Sequence, residues 1–179
     1  MEVHGGRTDS AVLVPLFCDE HRRLHAVFTR RRDDLKRHAG EISFPGGRRD
    51  GGETLVETAL REAHEEVGLP PEGVEVIGAL VPVGTFVTNY AIYPFVGLIE
   101  HGFEWIVQEA EVAEVLELAI DDLVAGHSLE RLVRRGIAFK SDVYRVDGHM
   151  VWGATSRILT DLLNRLEVGP RRPWRLEQE

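Results

Sequence analysis

Strand-like apolar runs alternate with two amphipathic helical stretches along this chain, which predicts a mixed α/β fold of the α+β kind. Three observations carry that prediction. Short apolar runs recur from residue 11 onwards, a 3.6-residue apolar stripe crosses 54–67, and a second crosses 154–166. No internal repeat, low-complexity segment or linker interrupts them, so residues 1–179 read as a single domain. A composition of 43% hydrophobic and 28% charged residues suits a folded chain rather than a disordered one.

The elements follow in order. Met1–Ser10 is polar, with no basic region leading into an apolar run, so no signal peptide is read there. Ala11–Phe17 and Leu24–Thr29 read as buried strands, with Asp19, Glu20 and His21 in the turn between them. Cys18 is the only cysteine, which excludes an intramolecular disulfide; it reads as a small buried apolar residue in a strand. A basic stretch, Arg30–His38, precedes Gly40 and the loop Phe44-Pro45-Gly46-Gly47. In Thr54–Val67, Leu55, Val56, Ala59, Leu60, Ala63 and Val67 share one helical face. Gly68 is the expected C-terminal cap, and Pro70 and Pro71 prevent continuation.

Val74–Val83 and Ile92–Ile99 read as strands, and Glu111–Leu118 as a third, although its Ala and Glu content leaves a helix open. Asp121–Ala125 reads as a short helical turn. Val143–Val146 and His149–Trp152 flank Asp147-Gly148, a pair suited to the positive φ angles of a type I′ hairpin. Ala154–Leu166 is a final amphipathic helix, with Ile158, Leu159, Leu162, Leu163 and Leu166 on one side. The tail from Gly169 to Glu179 is rich in Pro and Arg and is expected to be flexible.

A net charge of −9, from 21 basic and 30 acidic residues, argues against binding nucleic acid through its backbone. The apolar runs are too short to cross a bilayer, so no membrane partner is expected and the chain reads as cytoplasmic. An acidic protein still binds a small polyphosphate when a divalent metal supplies the positive charge. The helix at 54–67 has the groups for that. Glu62 and Glu66 lie one turn apart on one face, and Glu65 sits beside both. Like charges at this spacing destabilise a helix by roughly 0.2–0.5 kcal/mol per pair, and a hard cation such as Mg2+ or Mn2+ would offset that. Taken as charges alone, the same residues also fit a solvated acidic face.

The glycine spacing decides between these. Gly47, Glu53, Arg61, Glu62, Ala63, Glu65, Glu66, Gly68 and Leu69 meet every position of a long pattern: glycine, five residues, Glu, seven residues, Arg-Glu, aliphatic, any residue, Glu-Glu, any residue, Gly, aliphatic. Residues 47–69 thus resemble the box of the Nudix hydrolases. The resemblance implies a mixed β-sheet sandwiched between α-helices, with the box as loop–helix–loop. It also implies a site. Glu62, Glu66 and Glu65, with the Gly47 carbonyl, would hold Mg2+ or Mn2+. Glu66 and Glu65 would take part in catalysis, Glu53 would act from behind the metal ligands, and Arg61 would orient carboxylates.

Upstream, Thr29, Arg31, Leu35, His38, Gly40, Glu41, Phe44, Pro45, Gly46 and Gly47 resemble the extra motif of the coenzyme A pyrophosphatase branch. Arg32 replaces a small residue of that motif, and Lys36 stands where it has Arg. Pro94-Phe95-Val96-Gly97 and Trp152-Gly153-Ala154-Thr155 add to the likeness, which spans roughly residues 11 to 166. The implied substrate is a small molecule, coenzyme A or an acyl derivative, cut to adenosine 3′,5′-bisphosphate and 4′-phosphopantetheine. Its 3′-phosphate needs cations, and Arg31, Lys36, Arg37 and His38 are the candidates. The activating base is open between Glu66 and a distal glutamate, Glu111 or Glu114. Trp105 and Trp152 suit either stacking on adenine or packing. Hydrolysis of another nucleoside diphosphate derivative, such as ADP-ribose or NADH, is the rival within the class. A non-catalytic ligand-binding module is the rival outside it, and a homodimer is expected by resemblance.

Overall fold

The computed structural model describes residues 8–85 and 89–170. In chain order these form β1 (Thr8–Cys18), β2 (Leu24–Arg31), β3 (Ile42–Ser43), β4 (Gly46–Arg48), α1 (Leu55–Val67), β5 (Glu75–Ala79), β6 (Val83–Gly84), β7 (Tyr90–Leu98), β8 (Val112–Ala119), α2 (Ile120–Ala125), β9 (His127–Arg134), β10 (Ile137–Val146), β11 (His149–Val151) and α3 (Gly153–Arg165). A 3₁₀ turn, Pro71–Gly73, joins α1 to β5.

The main sheet runs β3-β2-β1-β7-β5, with β4 on β1, β6 on β7 and β8 on β2. The β1–β7 pair is parallel and the other pairs are antiparallel. Strand alternation sends β1 side chains to two cores. Ala11 and Leu13 pack under α1 against Ala59, Ala63 and Val67. Val14 and Leu16 pack on the other face with Ile158, Leu159, Leu162 and Leu163 of α3. Helices therefore cover both faces of a mixed sheet.

One irregularity of this sheet prepares the site. β1 and β2 pair only near their turn, at Leu16–Ala26, Phe17–His25 and Cys18–Leu24. Beyond that they diverge, and the loop 42–48 fills the wedge: β3 pairs with β2 at Thr29 and Arg30, and β4 pairs with β1 at Ser10–Val12. Gly46 can make this approach because a Cβ there would collide with the Ala11 carbonyl and Val12. The glycines thus enter the sheet as strand, directly beneath α1.

Helix α1 begins with a capping box. The Thr54 hydroxyl accepts from the Glu57 backbone N–H at 3.2 Å, and the Glu57 carboxylate accepts from the Thr54 N–H at 2.7 Å. Such a cap contributes about 1 kcal/mol. It also removes Glu57 from the partners available to Arg61. Gly68 closes the helix in the left-handed conformation, φ +74°, as its position predicts.

Several sequence expectations need correction. The span Val74–Val83 breaks into β5 and β6: the Leu80 N–H still donates to the Pro94 carbonyl of β7, but the Val81 N–H turns to Asp161 of α3 and Pro82 has no N–H to give. The strand reading of 111–118 holds over the helical one, since β8 pairs with β2 along seven residues of that strand. Asp147 and Gly148 have φ of +50° and +80°, as a type I′ turn requires. That hairpin is half of a larger one, however: β10 continues back to Ile137 and pairs with β9, completing a second sheet, β11-β10-β9. Leu166 is 39% exposed just past the end of α3 and lies outside its buried stripe. Cys18 ends β1 in an exposed position rather than a buried one. Of the tail, residues 171–179 lie outside the described residues.

Candidate active site

Three segments meet at the C-terminal half of α1: the β3–β4 loop, the end of β2 and the start of β8. Glu62 lies against Gly47, so closely that a Cβ on that glycine would stand 2.5 Å from its carboxyl carbon. Glu66 reaches the preceding residue and accepts a hydrogen bond from the Gly46 N–H at 3.3 Å. The two carboxylates are thus pressed onto the glycine backbone. Burial pushes the Glu66 carboxyl up to about 8, and the charges of Glu62 and Glu111 add to the rise; the Gly46 N–H and Arg31 act in the opposite direction. Glu62 is raised too, first by burial, with Arg61 partly offsetting it.

Arg61 organises the other side. Its Nε donates to Glu53 at 2.5 Å, and its Nη1 donates to Glu62 at 3.0 Å and Glu65 at 3.2 Å. Its Nη2 donates to the Arg48 carbonyl at 3.1 Å, which ties the helix to the loop. Glu53 is held well below the usual carboxylate range, at about 2, chiefly by Arg61. A residue that sequence reasoning missed completes this lattice. Thr58 is fully buried, and its hydroxyl donates to Glu53 at 2.9 Å and to the Thr54 carbonyl at 3.1 Å. Thr58 falls in the variable stretch between Glu53 and Arg61, so no motif position marks it.

The structure separates the remaining candidates. Arg31 points to the α1 side, where its charge acts on Glu66; its Nε is buried with no hydrogen-bond partner among the described residues. Glu111 also lies on this side, and its charge acts on both Glu62 and Glu66. Glu114 does not join them. It shares the β8 face of Leu116 and Leu118, which pack on the α3 side, and accepts from the Arg30 Nε at 2.7 Å. Glu65 is turned to Arg61, its side chain 53% exposed. Among the described residues no three acidic or histidine groups already stand at metal-ligand spacing.

Within the basic stretch, His38 pairs with Glu41 at 2.7 Å, Arg32 pairs with Asp34, and Lys36 and Arg37 are exposed. His64 is exposed as well. Trp105 donates to Glu117 at 2.8 Å and packs edge-on to Phe103, away from α3; Trp152 stacks under the Arg134 guanidinium.

A loop–helix–loop presenting partly buried carboxylates on a glycine turn, with an arginine clamp behind it, is the site that the resemblance to the Nudix box implies for a hydrolase of diphosphates. The NUDIX domain profile matches residues 7–136, and the chain belongs to the Nudix hydrolase family. It is 39% identical over 174 residues to the Nudix hydrolase NudL of Pectobacterium atrosepticum, covering 94% of this chain and 87% of that one. NudL of Citrobacter koseri is 38% identical over 168 residues, covering 92% and 85%. The fold is shared with a MutT/Nudix family protein of Enterococcus faecalis, at a TM-score of 0.62, 15% identity, and coverage of 93% of this chain and 64% of that one. It is also shared with the NUDIX domain of Shewanella oneidensis NrtR, solved with ADP-ribose, at a TM-score of 0.55, 20% identity and 68% and 79% coverage. Nudix hydrolases generally use divalent metals such as Mg2+ or Mn2+.

The Thr58 hydroxyl leads to a first prediction. Thr58→Val keeps the shape and removes one of the donors to Glu53, leaving Arg61 and the Asp50 N–H to hold it. Turnover is expected to fall about three- to tenfold, at the scale of one ordinary hydrogen bond, since the other donors to Glu53 remain. Thr58→Ser should restore it. Equal rates for the Val and Ser variants in a steady-state assay would remove Thr58 from the site.

Proposed function

We propose that this chain is a Mg2+- or Mn2+-dependent diphosphatase of coenzyme A or acyl-coenzyme A, releasing adenosine 3′,5′-bisphosphate and the matching 4′-phosphopantetheine. The observation that carries the reading is the arrangement around Glu66: two desolvated carboxylates on the glycine backbone, beside Arg31, whose buried Nε has no hydrogen-bond partner among the described residues. The donor set fits a hard divalent cation. Glu62 and Glu66 are oxygen ligands raised in pKa by burial and mutual repulsion, and added positive charge would relieve both. When bound, the metal would neutralise the diphosphate and polarise both phosphorus and water. Glu65, largely exposed, is free to leave Arg61 and join Glu62 and Glu66.

The chain's own residues supply the rest. Arg31 would bind a diphosphate oxygen through that Nε. Arg61 would keep Glu62 in place, and Glu53 with Thr58 would keep Arg61 in place. Between the distal bases, the side of the sheet favours Glu111 over Glu114, because only Glu111 acts on the carboxylate pair. Glu111 or Glu66 would accept the proton of the attacking water.

The coenzyme A branch rests on Thr29–Gly47 and its cations. Lys36 and Arg37 are exposed on the loop that leaves β2 directly after Arg31, where a 3′-phosphate can meet them. Incubation with coenzyme A, dephospho-coenzyme A, ADP-ribose and NADH, with products identified by mass, tests the reading. Cleavage of coenzyme A in preference to the others is the expected outcome; preference for ADP-ribose or NADH would move the substrate to the rival class. Lys36→Ala should weaken coenzyme A about tenfold, as one lost charged contact implies, and dephospho-coenzyme A much less. Equal losses in kcat/KM on both would exclude Lys36 from the 3′-phosphate.

A further inference from the structure

We propose that the groove between the β2–β3 loop and the β9–β11 sheet seats the purine base of the substrate, stacked on Arg134. This rests on the reading of the substrate as an adenine nucleotide derivative. The groove encloses about 540 Å³, an ordinary size for a small-molecule site. Ile42, Phe139, Met150 and Trp152 give it apolar walls, and Arg134 and Glu41 give it a polar one.

Arg134 is the built feature. Its guanidinium lies over the Trp152 ring, 4.8 Å from the centroid, and its Nη1 donates to Glu41 at 2.5 Å. Glu41 is held in turn by His38 at 2.7 Å. One face of the guanidinium is covered by Trp152 and one edge is fixed by Glu41, yet the side chain keeps 33% of its surface exposed. A planar cation fixed in this way is a stacking platform for a base, since its position is settled before the ligand arrives. The Glu41 carboxylate, 25% exposed, lies beside that platform as an acceptor for an exocyclic amino group.

The chain path joins this groove to the carboxylates. Arg30 lines the groove while its neighbour Arg31 acts on Glu66 from the opposite face of β2. The loop 32–41 starts there and returns through Ala39, Gly40 and Glu41, which form the groove wall. Its exposed cations, Lys36 and Arg37, therefore stand on a segment that runs from Arg31, beside the carboxylates, to the groove wall. A nucleotide with its base on Arg134 would present its sugar phosphates to that segment.

The test uses the full-length protein with Mg2+. Adenosine 3′,5′-bisphosphate and 4′-phosphopantetheine are titrated by calorimetry into wild type, Arg134→Ala and Arg134→Lys. Lys keeps the charge for Glu41 and loses the planar face, so it reports on stacking even if the Ala variant unfolds. The expected result is a loss of at least tenfold for the adenosine bisphosphate in both variants, with 4′-phosphopantetheine changed less than twofold. Wild-type affinity in Arg134→Lys would overturn the groove while leaving the coenzyme A reading in place. If wild type neither binds the bisphosphate nor cleaves coenzyme A, that reading fails, and AMP decides the groove separately: AMP binding lost in Arg134→Lys supports it, and AMP that does not bind, or binds the Lys variant equally, sinks it.

Discussion

Glu66→Gln is expected to abolish metal-dependent turnover and, at the same time, to stabilise the metal-free protein at neutral to alkaline pH. The activity loss should reach a factor of about 10³ or more, because the substitution removes a metal ligand and a proton acceptor together. The stability gain follows from linkage. Burial and the Glu62 charge raise the Glu66 carboxyl from 4.5 in the unfolded chain to about 8 in the fold. A raised carboxyl binds its proton more tightly when folded, so its contribution is fully favourable below pH 4.5 and is lost as pH rises through about 8. Gln cannot ionise and escapes that loss. A gain of about 1–4 kcal/mol near pH 8 is the scale implied, and hence several degrees in melting temperature for a chain of this size. At pH 4.5 the two proteins should melt within a degree or two of each other.

Adding Mn2+ separates this from general stabilisation. A ligand that binds only the folded state raises its stability in proportion to the logarithm of its concentration. Wild type should therefore regain stability at pH 8 as Mn2+ is added, whereas Glu66→Gln should gain little. Thermal scans at two pH values, with and without Mn2+, give all the comparisons. A wild type that melts at the same temperature at pH 4.5 and 8, after correction by the Gln variant, would contradict the buried charge at Glu66.

These expectations show which parts of the molecule the sequence makes legible. Helix α1 is readable because its information is local: apolar spacing, Thr54 and Glu57 three apart, and Gly68 where a left-handed residue is needed. Glu62 and Glu66 are readable for the same reason, one turn apart. The β9–β10 hairpin is not. Leu129, Val133 and Ile137 are all more than half exposed, so apolar residues occupy the outward positions and the usual apolar-in, polar-out pattern is missing. Their turn also hides itself, since Arg135 takes φ +50° at a position where Asn or Asp is the usual signal.

Long-range partners are hidden more deeply. Glu41 and Arg134 are 93 positions apart, and Arg30 and Glu114 are 84. Period-two alternation shows that Arg30 and Arg31 face opposite ways, but not which of them meets α1. Only the pairing of β2 with β8 decides that Glu111 falls with Glu66 and Glu114 with Arg30. The misreading of Cys18 has the same origin: a residue at the end of an apolar run is buried only if something packs over the strand's end, and sequence does not reveal what does.

The contact between Gly47 and Glu62 yields the sharpest steric prediction. A methyl group on residue 47 would stand 2.5 Å from the Glu62 carboxyl carbon and from one of its oxygens, and 2.8 Å from the other. No rotation of a methyl relieves an overlap of that size, so Glu62 must move, and Arg61 holds it at 3.0 Å. Gly47→Ala should thus displace a carboxylate without touching any charge. The expected result is a loss of about 10²-fold or more in kcat/KM, since misplacing a reacting group by about 1 Å costs that much. Mn2+ affinity, measured by calorimetry, should fall in parallel. Overall stability should change little, because Gly47 has no positive φ to lose and Glu62 can turn toward solvent. A Gly46→Ala variant is the contrasting case. Its Cβ would strike the Ala11 carbonyl and Val12, which are backbone and core, so it should unfold β4 from β1 and lower the melting temperature as well. If Gly47→Ala kept both its Mn2+ affinity and its rate, the carboxylate resting on that glycine would have no part in the chemistry, and the metal would have to sit elsewhere on α1.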